Sequence, residues 1–354
     1  MVSASRYRAH FDVYGLTAGV SGGWSEAIEA LDRDFGWFRA AAGDSRATVE
    51  VELEQRELDW DAFGETDAEY VTEQYAVYRL NGRTVVDHLE AAASTVEGGG
   101  RRMVVEGVGA SAARRAAFDF ILARACDHLD SVGLSRLFSL GLGGAQGGVA
   151  VLLPPGGGKT TLALRALQAD GVTLYSEGSP LLDRNGSLHP FPFPLWIRTN
   201  ARETPDVPDE FLRRIDGRLT DPLLLELDAF ADRIAATPTA LRHVVLGSRS
   251  LGRRSWLEPA PRRDAAGPLL RQAVLGFSVG DALRFLARPG GARDAAKEQR
   301  EPDERQAPAA ATASRRAANR LLCCRAVLAQ ARVWRLHLGH DREGAWRALE
   351  PLLR

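Results

Sequence analysis

Apolar and polar residues alternate strictly from Thr48 to Glu54 (Thr-Val-Glu-Val-Glu-Leu-Glu), which predicts a strand buried on one face and wet on the other. Two further strand-like runs, Tyr75 to Leu80 and Arg83 to Val86, are joined by Asn81-Gly82. That dipeptide tolerates the positive φ angles of a type I′ turn, so the pair predicts a hairpin. Another strand is expected from Met103 to Val108, followed by a helix from Ala112 to about Leu129 with Phe118, Ile121, Leu122, Ala125 and Leu129 on one face. Together these elements define an N-terminal α+β lobe over residues 1–134. His10, His88 and His128 are scattered through it and read as surface or hydrogen-bonded structure, so the lobe carries no catalytic constellation.

The pattern changes after the glycine-rich passage Gly141 to Gly148. Val149-Ala150-Val151-Leu152-Leu153 is an unbroken apolar run, as in a strand buried on both faces. Leu162 to Leu167 is strongly helix-forming and stops near Asp170-Gly171, where glycine suits a left-handed cap. Val172 to Tyr175 reads as a second buried strand. Strand, glycine loop, helix and strand in that order predict a βαβ unit and a parallel sheet, assigned to a nucleotide domain over residues 135–287. Within it, prolines at 190, 192 and 194 exclude a helix, so Pro190 to Arg198 should run extended along the domain edge. Residues 288–319 are rich in Ala, Arg, Pro, Glu and Gln without apolar periodicity and read as a disordered insertion. Over residues 320–354, an amphipathic helix from Leu321 to Leu338 and a short helix from Glu343 to Leu352 should pack back on the nucleotide domain.

Composition narrows the classes. With 354 residues, 45% hydrophobic and 26% charged, the chain has the balance of a globular protein of about two domains. A net charge of −1 supplies no drive toward nucleic acid or anionic membrane, and neither is expected as a partner. Arg253-Arg254 and Arg262-Arg263 read as solvated loops. The three cysteines, Cys126 and the adjacent Cys323-Cys324, form neither a disulfide framework nor a zinc spacing, which fits a reducing compartment. No apolar run approaches the ~20 residues of a membrane span and the first residues lack a signal-peptide core, so a cytoplasmic protein is expected.

Only two of the 45 basic residues are lysine, Lys159 and Lys297. Lys159 stands in Leu153-Pro-Pro-Gly-Gly-Gly-Lys-Thr-Thr161, between the first buried strand and the helix. Glycines reach positive φ and let backbone amides face a phosphate, the helix N-terminus adds its dipole, and an ammonium on a flexible stem reaches the β- and γ-phosphates. The expected ATP-binding residues are Pro155, Gly156, Gly157, Gly158, Lys159, Thr160 and Thr161, with the Thr160 hydroxyl on Mg²⁺. Glu177, at the end of the second strand, can share that metal or accept a proton from an attacking hydroxyl. Leu153 departs from the strict motif, which begins with glycine.

Three segments carry a resemblance in order: Gly147 to Leu164, Ser176-Glu177 with Leu181-Leu182-Asp183, and Pro190-Phe-Pro-Phe-Pro-Leu-Trp-Ile-Arg198. Over about residues 135–200 the chain resembles kinases of the HPr kinase/phosphorylase type, including those encoded beside lasso-peptide and related peptide-modification genes. The resemblance implies an α/β phosphate-loop nucleotide domain of the HPr-kinase type, Mg·ATP as cofactor and transfer to a serine on a peptide or protein. It implies an acidic pair dividing metal binding from proton acceptance; here Ser176 occupies the first position and leaves Glu177, with Asp183 as a substitute catalytic acid. These departures bear on catalysis more than on nucleotide binding, which draws on amides, Lys159 and Thr160. The alternatives are a nucleotide-gated accessory or scaffold protein and a kinase of a free hydroxy metabolite. The sequence leaves open the oligomeric state, a homo-oligomer included.

Overall fold

The chain is a mixed α/β protein in the computed structural model, which describes residues 7–41, 47–72, 75–89, 92–97, 99–198, 209–214, 222–275 and 307–354. These fall into two units, one within residues 7–128 and the other within 129–275 and 309–354.

The first unit is built on strands β1 (Tyr7–Val13), β2 (Leu16–Gly22), β3 (Val49–Gln55), β4 (Tyr70–Val71), β5 (Ala76–Leu80), β6 (Arg83–Asp87), β7 (Ala92–Glu97) and β8 (Arg102–Gly107). Their order is β1-β2-β3-β8-β7-β6-β5-β4, with β3 parallel to both of its neighbours. The alternating run becomes β3: Val49, Val51 and Leu53 are buried, while Glu50, Glu52 and Glu54 occupy the other face. On that wet face Arg102 bridges Glu52 and Glu97 at 2.6 and 3.1 Å. Asn81 and Gly82 have φ of 49° and 78° and close the β5–β6 hairpin with Leu80 opposite Arg83, as the type I′ turn requires.

Helices α1 (Ser25–Asp34) and α2 (Ala110–Ser131) complete this unit. Phe35, just past α1, packs its ring against Phe11 of β1 at 5.0 Å and Phe118 of α2 at 5.1 Å, and Asp34 pairs with Arg114 in a buried ion pair. α2 is buried over more of its surface than one face, because Ala112, Ala113, Ala116 and Ala117 are enclosed along with Ile121, Leu122, Ala125 and Leu129. Alanine allows such close approach without a bulky stripe to announce it. Two of the histidines are bonded: His88 Nε2 lies 2.9 Å from Ser94 Oγ, and His128 Nε2 lies 2.9 Å from the Tyr14 carbonyl.

The second unit centres on a nine-stranded mixed sheet. Its strands are β9 (Ser135–Arg136), β10 (Leu140–Gly144), β11 (Gly147–Leu152), β12 (Thr173–Ser176), β13 (Leu181–Leu182), β14 (Ser187–His189), β18 (Thr239–Arg249), β19 (Trp256–Ala260) and β20 (Arg332–Leu338). β15 (Leu195–Arg198), β16 (Leu212–Arg214) and β17 (Pro222–Leu225) form a separate three-stranded sheet in which β15 is an edge. The main order is β12-β10-β11-β18-β14-β13-β9, with β20 on β18 and β19 on β20. β11, β18 and β20 are parallel, whereas β10 is antiparallel to both β11 and β12. The predicted βαβ unit therefore skips one strand, and the sheet is mixed rather than purely parallel. Local patterning does not show that β12 pairs with β10, the hairpin partner of β11, instead of with β11 itself.

Two helical layers sandwich this sheet. Val149 and Val151 point into a core with Leu162 and Leu167 of α3 (Lys159–Gln168). Ala150 and Leu152 point into another with Ala265 and Leu269 of α4 (Arg262–Leu270) and Cys323 and Val327 of α5 (Ala307–Gln330). Trp346 and Leu349 of α6 (Arg342–Leu349) join the α3 side. α5 begins at Ala307, so residues 307–319, expected to be disordered, are helical; their alanine content favours a helix without apolar periodicity. The rest of that expected insertion, 288–306, lies outside the described residues. The helix expected to run to Leu338 ends at Gln330, and residues 332–338 are strand β20, where Val333 and Leu336 point to opposite cores. β-branched and aromatic residues at that point favour the pleat. Among the described residues no helix is long and apolar enough to cross a membrane.

His88 makes the stability of the first unit depend on pH. Its burial, with the charge of Arg115 adding to the effect, lowers its pKa from 6.5 to about 4. The unfolded chain thus takes up a proton that the native state refuses, and stability is complete above pH about 6.5 and falls as pH drops toward about 4. Denaturant titration at pH 7 and pH 4.5 should show His88→Gln losing roughly 2 kcal/mol less than wild type over that interval.

Candidate functional site

The glycine loop leaves the C-terminal end of β11 and enters α3. Pro154, Pro155 and Gly156 are exposed, while Gly157 and Lys159 are buried. The Gly157 amide donates to the Pro154 carbonyl at 2.9 Å, and a Cβ on Gly157 would come within 2.8 Å of that oxygen. Gly156 and Gly158 have φ of 69° and 97°, a region where a side chain is strained. Gly158 is the N-cap of α3, and its carbonyl accepts the first helical bond from the Leu162 amide at 3.0 Å. The loop thus turns back on itself and presents the start of a helix, the arrangement that suits an anion.

Leu153, where the motif has glycine, is fully buried. Its side chain occupies the space over Gly247 on β18, where an added Cβ would meet Leu153 Cδ2 at 2.1 Å, while its carbonyl accepts from Lys159 Nζ at 3.3 Å. The leucine is a core residue supplying a backbone acceptor to the loop. Burial lowers the Lys159 pKa below its ordinary value, and the charge of Glu177 acts in the opposite direction.

Register explains how Glu177 reaches the loop. Ser176 pairs with Gly141 on β10, and Gly141 pairs with Ala150 on β11, so the end of β12 is level with the end of β11. Glu177 follows directly, and its Oε1 accepts from Thr160 Oγ1 at 2.9 Å. Ser176 is buried and caps the next turn, its Oγ accepting from the Ser179 amide at 3.0 Å and the Gly178 amide at 3.4 Å. Thr161 is half-buried on the same helical turn.

Asp183 is not brought to this site. Its carboxylate closes the β13–β14 turn by accepting from the Asn185 and Ser187 amides at 2.9 and 2.8 Å, and it pairs with His189 at 3.0 Å. Burial alone would raise its pKa, but those hydrogen bonds outweigh it and hold it below the ordinary value. Ser187 pairs with Ala240 at the start of β18, whereas Leu246, near the far end, pairs with Leu152 just before the loop. Several residues at about 3.3 Å each separate Asp183 from the loop along the strand direction. Asn-Gly chemistry in Asp-Arg-Asn-Gly makes it a turn residue. Within Pro190 to Arg198, Leu195–Arg198 form edge strand β15 and the preceding residues are not helical, while Phe191 is fully buried and its amide donates to the Tyr175 carbonyl at 2.8 Å.

Two residues at the loop carry no sequence signal. Arg249, at the end of β18, donates from Nη2 to the Gly156 carbonyl at 2.8 Å, and the Phe138 ring centroid lies 4.2 Å from Lys159 Nζ. Both arrive from segments distant in sequence, so no local spacing could single them out. Among the described residues no group of three or more His, Cys, Asp or Glu could hold a metal. Thr160 and Glu177 nonetheless present a hydroxyl and a carboxylate, the oxygen donors that Mg²⁺ takes together with substrate phosphates. Neither a scan against protein-family models nor a search of curated proteins returns a match for this chain.

The fit of Leu153 over Gly247 has a measurable consequence. Gly247→Ala should destabilise the protein by roughly 1–3 kcal/mol through overpacking. Adding Leu153→Ala should make the pair less destabilising than the sum of the single changes, since it removes the clash and the new methyl fills part of the cavity it leaves. Denaturant midpoints for the four proteins check the coupling.

Proposed function

We propose that the chain is an ATP- and Mg²⁺-dependent kinase of the HPr-kinase-like type, transferring the γ-phosphoryl group to a serine hydroxyl of a peptide or protein. The observation that carries this reading is the 2.9 Å contact between Thr160, on the first turn of α3, and Glu177, at the end of β12. It gathers a hydroxyl, a carboxylate and the buried Lys159 around a loop whose shape suits phosphate. The loop amides and Lys159 would bind and orient the phosphates, and Arg249 would add positive charge at the Gly156 apex. Thr160 and Glu177 would hold Mg²⁺, which neutralises charge developing on the phosphoryl oxygens. Glu177 would also take the proton of the acceptor hydroxyl, leaving an oxygen able to attack phosphorus in line as the bond to the β-phosphate breaks and ADP departs.

A cytoplasmic setting belongs to the same reading. None of the three cysteines is in a disulfide, and burial pushes Cys323 and Cys324 up to about 12 and about 11, which keeps them as inert thiols.

A second reading, a nucleotide-gated scaffold, is favoured by Ser176. A buried serine occupied with two amides holds the turn but adds no second acid. Incubation with γ-labelled ATP and cell extract separates the two. Label on serine of an acceptor, absent with Lys159→Ala, supports the kinase; ATP binding without transfer, with partner affinity that changes with nucleotide, supports the scaffold.

Lys159→Ala should remove most Mg·ATP binding by titration calorimetry, while Glu177→Gln should bind within a few-fold of wild type yet lose transfer by about 100-fold or more. Equal ATP affinity in wild type and Lys159→Ala would mean that the loop is only a turn. Ser176→Asp keeps an acceptor for the two amides while adding a carboxylate, and should raise the transfer rate.

A further inference from the structure

Lys159 is a buried ammonium with more donors than the structure gives it acceptors. It carries three N–H groups, and the Leu153 carbonyl at 3.3 Å accepts one. Glu177 attracts it, but the Glu177 Oε1 atom is engaged by the Thr160 hydroxyl. The remaining close neighbour is aromatic: Lys159 Nζ lies over the face of Phe138, 4.2 Å from the ring centroid. The backbone there is pinned on both sides, with the Leu137 amide on the Pro180 carbonyl at 2.9 Å and the Phe138 amide on the Gln272 carbonyl at 3.3 Å. Leu137, Ser139 and Leu140 are buried beside it, and Phe138 itself is half-buried.

We propose that Phe138 is the positioning residue of Lys159, its ring face holding the ammonium fixed against the glycine loop. An aromatic face suits the task in a way a carboxylate would not. The negative face of the ring attracts the cation within about 6 Å without neutralising it and without accepting its proton. A carboxylate would form an ion pair that incoming phosphates would have to break, whereas a charge-assisted bond to phosphate outcompetes a ring. The pairing itself rests on the geometry above; its consequence for phosphate binding rests on the nucleotide reading.

The test exploits a chain with only two lysines. In a Lys297→Arg background, the side-chain ε-methylene signal observed by NMR belongs to Lys159 alone. It should be displaced upfield by the ring current of Phe138, move to an ordinary position in Phe138→Leu, and return in Phe138→Tyr. Calorimetry with Mg·ATP should show Phe138→Leu binding roughly 3- to 30-fold more weakly than wild type, with Phe138→Tyr close to wild type.

An ordinary Lys159 shift in the wild-type spectrum overturns the proposal even if Phe138→Leu does not fold. So does a Phe138→Leu variant with the same lysine shift as wild type, or with the same Mg·ATP affinity where wild type binds. A wild-type protein that shows the ring-shifted lysine but binds no Mg·ATP upholds the pairing and sinks the nucleotide reading alone.

Discussion

β11 imposes the constraint on which the second unit is built. Five apolar residues in a row cannot be satisfied by one wet and one dry face, so both faces must be covered and both edges paired. The chain meets this with β10 and β18 along the edges, α3 and α6 on one side, and α4 and α5 on the other. Once β11 is enclosed, the backbone can emerge to solvent only at its ends. The glycine loop lies at the C-terminal end, where the parallel strand β18 also finishes and where β12, two strands away, delivers Glu177. The site is a consequence of how the most apolar strand is buried.

The two departures from the phosphate-loop pattern have a common physical basis, since both exchange a group of the motif for one that serves packing or the backbone. Leu153 fills the volume that Gly247 leaves free and contributes only its carbonyl to the loop. Ser176 uses its hydroxyl to satisfy the Gly178 and Ser179 amides of the part-buried turn that contains Glu177. An unpaired amide in such a place costs about as much as the bond that satisfies it. The serine is therefore structural work at a position beside the chemistry.

Electrostatics at the loop is a balance among few groups. Burial disfavours the Lys159 ammonium, the Glu177 carboxylate favours it, and the face of Phe138 contributes attraction without a countercharge. Arg249, bonded to the Gly156 carbonyl from the exposed side, adds a second cation that burial does not threaten. In a partly desolvated site such charges act more strongly than in water. Asp183, by contrast, spends its carboxylate on its own turn.

Sequence alone determined what is local. The alternation of β3, the Asn81-Gly82 turn, the apolar run of β11, the glycines before Lys159 and the helix after it are set by short-range sterics and by a two-residue or 3.6-residue period. Tertiary structure decided what local patterning left open: the pairing of β12 with β10 instead of with β11, the strand at residues 332–338 where a helix was expected, and the helix at 307–319 where disorder was expected. It also decided the site's membership. Glu177 lies beside Thr160 because a register through β10 makes two strand ends level. Phe138 and Arg249 reach the loop from β9–β10 and from the end of β18, and Asp183 is carried to the opposite end of the sheet. Register and layer packing depend on contacts among residues far apart in the chain, and no local spacing encodes which of them will meet.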